Sequence, residues 1–341
     1  MNINELVREN IAAMKPYSSA RDEFSGLDGL FLDANENPYN NGVNRYPDPY
    51  QCTLKKKILA MKSIATNNIL LGNGSDEVLD LLFRAFCEPK QDNVIVATPS
   101  YGMYKVLANL NNIGLKEVLF EEDFSLNPDK IIAAVDENTK MILLCSPNNP
   151  TGNSIAIEVV EKLLKNTNCL VVVDEAYIDF SEKNSFINYL SKYNQLIVSQ
   201  TLSKYFGMAG IRLGMCFASQ EIITILNRIK PPYNVNVLTQ NKALELLTNI
   251  NDSYKNEVIE ERKLLSKELL KFDFVIKVYP SDANFILVKT TDANYIYNEL
   301  IKKQIVVRNR TKEPLCENCI RITIGTPQEN QILLNALKEI K

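Results

Sequence analysis

Between about residues 68 and 230, short runs of near-continuous Val, Ile and Leu alternate with amphipathic stretches, and this alternation restricts the possible folds more than any other feature of the chain. The runs are Asn93-Val-Ile-Val-Ala, Lys116-Glu-Val-Leu-Phe, Met141-Ile-Leu-Leu-Cys, Leu170-Val-Val-Val and Leu196-Ile-Val. A strand that is apolar on both faces must be covered on both faces, which is the condition of a parallel sheet held between layers of helix. Helical periodicity fills the gaps, for example over Ala156 to Lys165 and Glu221 to Arg228. The pattern therefore predicts an α/β domain with a mostly parallel sheet. After Pro231-Pro-Tyr-Asn234 it gives way to long helices over about 236 to 249 and 251 to 272. Strands at Phe274-Val-Ile-Lys, Asn284-Phe-Ile-Leu-Val and Cys319-Ile-Arg-Ile-Thr follow, and a last helix starts near Pro327. The expected organisation is an N-terminal arm over 1–45, a large domain over 46–235 and a smaller α+β domain over 236–341. The arm reads as a short helix followed by irregular chain, and it must pack on something, in expectation the smaller domain and a partner subunit.

In open sheets of this kind ligands sit beyond the carboxyl ends of the strands. Three polar residues obey that rule: Asn149 follows the Met141 run, Asp174 ends the Leu170 run, and Lys204 follows the Leu196 run. Lys204 lies in Thr201-Leu-Ser-Lys-Tyr-Phe-Gly-Met-Ala-Gly-Ile-Arg212. An amine drawn partly out of water has a lowered pKa and attacks carbonyls, so it could tether an aldehyde. Thr201, Ser203 and Arg212 are the donors that a phosphate dianion requires. Together they point to pyridoxal phosphate, against the plainer explanation that Lys204 is one more solvated cation. Gly72-Asn-Gly-Ser-Asp76 opens a helix from Glu77 to Cys87, and bare backbone N–H groups there favour an anion, unless Ser75 simply caps the helix. The loop is neither a Walker loop nor a dinucleotide fingerprint. Ser146-Pro-Asn-Asn-Pro-Thr-Gly152 is a turn by composition, yet Asn149 could donate to a phenolate oxygen, as could Tyr177. Asp174, at the mouth of an apolar strand, needs a partner, and a protonated pyridine nitrogen would serve.

The chain contains no histidine, which excludes Ser-His and Cys-His nucleophile schemes and His-ligated metal sites. Proton transfer at neutral pH falls to Lys, Tyr, Asp, Glu or a cofactor. A net charge of -3 argues against a general nucleic-acid binder. No run is long enough to span a bilayer and Met1-Asn-Ile-Asn-Glu-Leu lacks the blocks of a signal peptide, so a cytoplasmic location is expected. The seven cysteines are odd in number and sit mostly in apolar runs, as free thiols do in a reducing compartment. Cys316-Glu-Asn-Cys319 is an isolated pair with no second pair to complete a zinc site, and no metal is expected.

The ordered set Asn149-Pro-Thr-Gly, Asp174-x-x-Tyr177 and Ser203-Lys204 with Arg212 resembles the fold-type I pyridoxal-phosphate aminotransferases. More narrowly, Asn35-Glu-Asn-Pro38, Arg45-Tyr-Pro47, Val307-Arg308 and Ile320-Arg-Ile-Thr-Ile-Gly-Thr326 resemble the histidinol-phosphate aminotransferase family, over nearly the whole chain from about Tyr17. The resemblance implies a seven-stranded sheet in the large domain and a homodimer with shared active sites. It makes Lys204 the tether of pyridoxal phosphate and the carrier of the substrate proton, with Asp174 on the pyridine nitrogen and Asn149 and Tyr177 on the phenolic oxygen. Tyr101 would stack on the ring, and Gly74, Ser75, Asp76, Thr201, Ser203 and Arg212 would cradle the phosphate, joined by Tyr46 from the neighbouring subunit. Tyr17, Asn35, Arg308 and Arg321 would contact substrate. The implied reaction takes the amino group of histidinol phosphate to 2-oxoglutarate, giving glutamate. Relatives with the same cofactor set include aromatic amino-acid aminotransferases and threonine-phosphate decarboxylases. A silent cofactor-binding regulator would carry an added DNA-binding domain, and none is visible. Tyr205, directly after the lysine, departs from the smaller residue expected there and either crowds the pocket or packs away from it.

Overall fold

The computed structural model describes residues 2–16, 29–62, 64, 68–251 and 253–340. Seven strands form the larger sheet: β1 (Ile69–Asn73), β2 (Asn93–Thr98), β3 (Gly114–Leu119), β4 (Thr139–Cys145), β5 (Leu170–Asp174), β6 (Leu196–Thr201) and β7 (Leu213–Phe217). Their order is β1-β7-β6-β5-β4-β2-β3, and β7 alone runs against the others. Every residue of β5 and β6 is buried, including the polar ends Asp174 and Ser199-Gln-Thr201, as strands covered on both faces require. By contrast β3, at the edge, exposes Gly114, Glu117 and Leu119, and the charges of Lys116 and Glu117 discourage pairing with another chain. The sequence runs marked β2 to β6. They did not mark β1 or β7, whose glycines Gly72 and Gly214 break the Val/Ile/Leu pattern.

Helices cover both faces. On one side Ile95, Ile142, Val171 and Val198 pack with Leu54, Ile131 and Leu163; on the other Val94, Leu143, Val172 and Ile197 pack with Leu79, Phe83, Ile222 and Leu226. A smaller antiparallel sheet is built from β8 (Val275–Val278), β9 (Phe285–Thr290), β10 (Arg308–Asn309) and β11 (Cys319–Thr323), in the order β10-β11-β9-β8. The helices Ser253–Leu269, Ala293–Lys302 and Pro327–Lys338 cover it through Leu265, Leu269, Ile296, Leu300 and Leu333.

Two packing arrangements bear on the expected organisation. The helix Val237–Thr248, placed by sequence with the smaller domain, buries Ala243 and Leu247 in the core that holds Leu54 and Ile58, against helix Cys52–Lys62. The start of the arm packs on the large domain: Ile3 and Ile11 join Leu82 and Ile222, Arg8 pairs with Glu88 at 2.9 Å, and Arg228 donates to the Ile11 carbonyl at 3.0 Å.

Candidate active site

The neighbouring strands β4, β5 and β6 deliver their following residues to one cavity, lined by Asn149, Asp174, Ala176, Tyr177, Thr201, Ser203 and Lys204. Ser75, Asp76, Tyr101, Cys145, Ala209 and Arg212 complete the wall.

Asp174 forms the floor. It is 2 % exposed, and one carboxylate oxygen accepts from the Tyr104 hydroxyl at 3.0 Å while the other accepts from the Ala176 N–H at 3.1 Å. Burial pushes its pKa up to about 6 even though both hydrogen bonds pull it down. A buried carboxylate left in that condition fits a cationic partner such as a protonated pyridine nitrogen. Tyr104 was not among the residues picked out by sequence. It lies one helical turn from Tyr101, on helix Met103–Leu110, and burial lifts its hydroxyl far above the ordinary range, so it stays a donor.

Lys204 stands three residues beyond β6 on a turn, open to the cavity, with its Nζ 5.7 Å from the Tyr177 ring centre. Its pKa is lowered chiefly by the water withdrawn by the walls and then by the charge of Arg321. Asn149 is buried and donates from Nδ2 to the Tyr177 hydroxyl at 3.4 Å, while Arg321 and Arg310 both donate to its Oδ1. Burial also raises the Tyr177 pKa above the tyrosine range. Tyr101 donates to Asp76 at 3.1 Å and stands edge-on to Tyr104.

The opposite wall suits a phosphate. Helix Ser75–Phe86 is preceded by Gly74 as its N-cap with no side-chain cap, so the reading of Ser75 as the cap is not what folds, and the first-turn N–H groups face the cavity end of the helix. Gly74 has φ 79°, and a Cβ there would meet Arg212 Nη2 at 2.6 Å. A Cβ on Gly214 would sit 2.2 Å from the Ser75 nitrogen. Both glycines are thus required for Arg212 and the helix end to approach each other. Arg212 faces Asp76 at 3.6 Å, and Thr201 donates to Ser203 at 3.0 Å.

The remaining expected residues are distributed differently. Arg308 on β10 is the register partner of Arg321 on β11 and is exposed. Arg321 lies over the Phe285 ring at 5.2 Å, its pKa lowered by burial and by Arg310. Asn35 and Tyr46 do not line the cofactor cavity of this single chain. They border a separate hollow with Glu36 and Arg45, where Tyr46 stacks on Tyr233 at 4.4 Å. Tyr17 lies outside the described residues. Tyr205 is directed away from the cavity, packing edge-on against Phe180 and Phe206, which resolves the choice left open by sequence.

Comparison with known proteins agrees with this geometry. The family described as aminotransferase class I and II matches residues 32–337. The chain is 58% identical to a histidinol-phosphate aminotransferase of Flavobacterium johnsoniae over 343 residues, 99% of this chain and 98% of that one. The crystal structure of the histidinol-phosphate aminotransferase of Clostridium acetobutylicum superposes with a TM-score of 0.79 at 26% identity, covering 87% of this chain and 90% of that one. The enzyme of that name from Sinorhizobium meliloti, solved with pyridoxal-5'-phosphate, gives a TM-score of 0.79 at 24% identity, over 87% and 82%.

Proposed function

Because the chain belongs to the class I and II aminotransferases, within the histidinol-phosphate aminotransferase family, we propose that it converts L-histidinol phosphate and 2-oxoglutarate to imidazole acetol phosphate and glutamate, a step of histidine biosynthesis. The observation that carries the reading is the convergence of Asn149, Asp174 and Lys204 from three adjacent strand ends, with Arg321 directly behind Asn149.

Pyridoxal phosphate supplies an electron sink that stabilises negative charge at the substrate α-carbon. The chain's own groups do the rest. Lys204 would tether the aldehyde, and its depressed pKa would leave Nζ, once freed by the substrate amine, able to take up and hold the α-proton. Asp174 would hold the ring nitrogen protonated, and Tyr104 fixes the carboxylate that would do so. Asn149 and Tyr177 would donate to the ring oxygen, Tyr101 would cover the ring, and the Gly74, Ser75 and Asp76 backbone at the helix start, with Thr201, Ser203 and Arg212, would hold the phosphate. Arg308 and Arg321, with Asn35 and Tyr17, receive the substrate's anionic end. Two guanidinium forks accommodate a phosphate monoester in one half-reaction and a dicarboxylate in the other.

A homodimer with shared sites belongs to the same proposal. Its support is the apolar surface along the arm, where Leu30, Leu32 and Tyr39 are 86%, 80% and 82% exposed, with Tyr46 half exposed nearby. Tyr46 then acts on the partner's phosphate cradle. A cytoplasmic location is proposed with it, on seven cysteines that are all free thiols. Steady-state turnover of histidinol phosphate, phenylalanine and threonine phosphate tests the substrate assignment. A preference for histidinol phosphate is expected, and a clear preference for phenylalanine, or release of carbon dioxide from threonine phosphate, would refute it.

A further inference from the structure

Asn149 is held by two arginines, where the expected reaction calls for one. Arg321 donates from Nη1 to Oδ1, and Arg310 donates from Nη2 to the same oxygen at 3.3 Å. With both guanidinium groups on the oxygen, the amide has a single satisfied orientation, the one that turns Nδ2 toward Tyr177. Arg310 is itself fixed. Its side chain is 13% exposed, Nη1 donates to Glu313 at 3.2 Å, and its backbone N–H donates to the Cys319 carbonyl at 2.8 Å, continuing the pairing of β10 with β11. Its Nε is buried with no hydrogen-bond partner among the described residues, so two Nη groups carry its side-chain bonding.

Arg321 has a second duty, to receive the substrate's anion, and an arginine drawn to an anion gives up part of its hold on a neutral amide. Asn149 Oδ1 is buried and must keep a donor. We propose that Arg310 is a positioning residue that keeps the Asn149 amide oriented toward Tyr177 and the cofactor's ring oxygen while Arg321 engages substrate. Arg310 touches neither cofactor nor substrate in this role. The proposal rests on the reading of Asn149 as a donor to the ring oxygen of pyridoxal phosphate.

The test uses holoenzyme of the wild type and of Arg310→Gln, Arg310→Lys and Glu313→Gln, with two readouts: the pH midpoint of the bound cofactor's visible band, and kcat and KM for histidinol phosphate. A donor and a positive charge beside the ring oxygen favour its ionised form, the form with one proton fewer, so removing them raises the midpoint. Arg310→Gln is expected to raise it by about half to one pH unit and to lower kcat about tenfold, with KM changed less than about twofold. Arg310→Lys should recover part of both. Glu313→Gln, which releases Arg310 from its other partner, should lower the midpoint. An unmoved midpoint in Arg310→Gln overturns the proposal, as does a rise in KM alone, which would make Arg310 an anion ligand. If Arg310→Gln fails to fold, Glu313→Gln decides, and no shift there overturns the proposal. A wild-type protein without the visible band would overturn the cofactor reading as well, whereas a band that is present but does not move overturns only the role of Arg310.

Discussion

The floor of the cavity and its rim are built on opposite plans. Asp174 and Asn149 on the floor are nearly solvent-free, each bonded by neighbouring groups and set at the ends of strands that are themselves buried. On the rim, Arg308 stands exposed on a two-residue strand, while Asn35 and Tyr46 border a separate hollow beside exposed Leu30, Leu32 and Tyr39. On the proposed roles, chemistry common to many substrates falls where packing permits one arrangement, and selection among substrates falls where a few residues can change without disturbing a core.

If that division holds, substitutions on the floor should damage the rate for every substrate, and substitutions on the rim should discriminate between them. The largest effect is expected for Lys204→Ala, a loss of more than about 10⁴-fold in turnover with the fold retained by circular dichroism, because tether and proton carrier vanish together. Asp174→Asn should cost about 10³-fold in kcat for histidinol phosphate and glutamate alike. The same variant should stabilise the cofactor-free protein. Burial raises the Asp174 pKa from 3.8 to about 6. The folded chain therefore binds that proton more tightly than the unfolded one between those values, and stability falls as pH rises across this window. By neutral pH the charge costs on the order of 3 kcal/mol, a penalty absent from the Asp174→Asn variant, and denaturant melts of both proteins at about pH 4 and pH 7 would reveal it.

Rim effects should be smaller and selective. Arg321, which joins floor to rim through Asn149, is the intermediate case, and Arg321→Ala is expected to lower kcat/KM about 10²-fold for both anionic substrates. Arg308→Ala, exposed and less constrained, should cost about tenfold, expressed in KM rather than kcat. Equal losses in kcat for all substrates from Arg308→Ala would erase the distinction between floor and rim. Tyr46→Phe should be the mildest, weakening cofactor retention by about tenfold or less in a dialysis assay.

What the sequence disclosed follows the same division. The floor was legible because its residues follow strands so apolar that a polar residue at their ends stands out, as Asp174 does after Val171-Val-Val. The strands β1 and β7 were not marked, since Gly72 and Gly214 interrupt the hydrophobic pattern for the sake of a close approach that only three dimensions reveal. Tyr104 escaped notice because an aromatic on an amphipathic helix reads as core, which it also is. Arg310 was not singled out, and nothing in the spacing states that a side chain at 310 reaches Asn149. The helix Val237–Thr248 was assigned by its position after the double proline, and only the fold shows Ala243 and Leu247 in one cluster with Leu54 and Ile58.

The position of β7 sets a schedule for biosynthesis. A chain emerging from the ribosome acquires Asp76, Asp174 and Lys204 first, but β7, which supplies Gly214 against the Ser75 nitrogen and follows directly on Arg212, must still slot between β1 and β6. Until residue 217 has been made and inserted, the wall proposed to hold a phosphate lacks Gly214 against the Ser75 nitrogen. One strand thus completes both the sheet and that wall, and the burial that lowers the Lys204 pKa exists only once the cavity has folded around it.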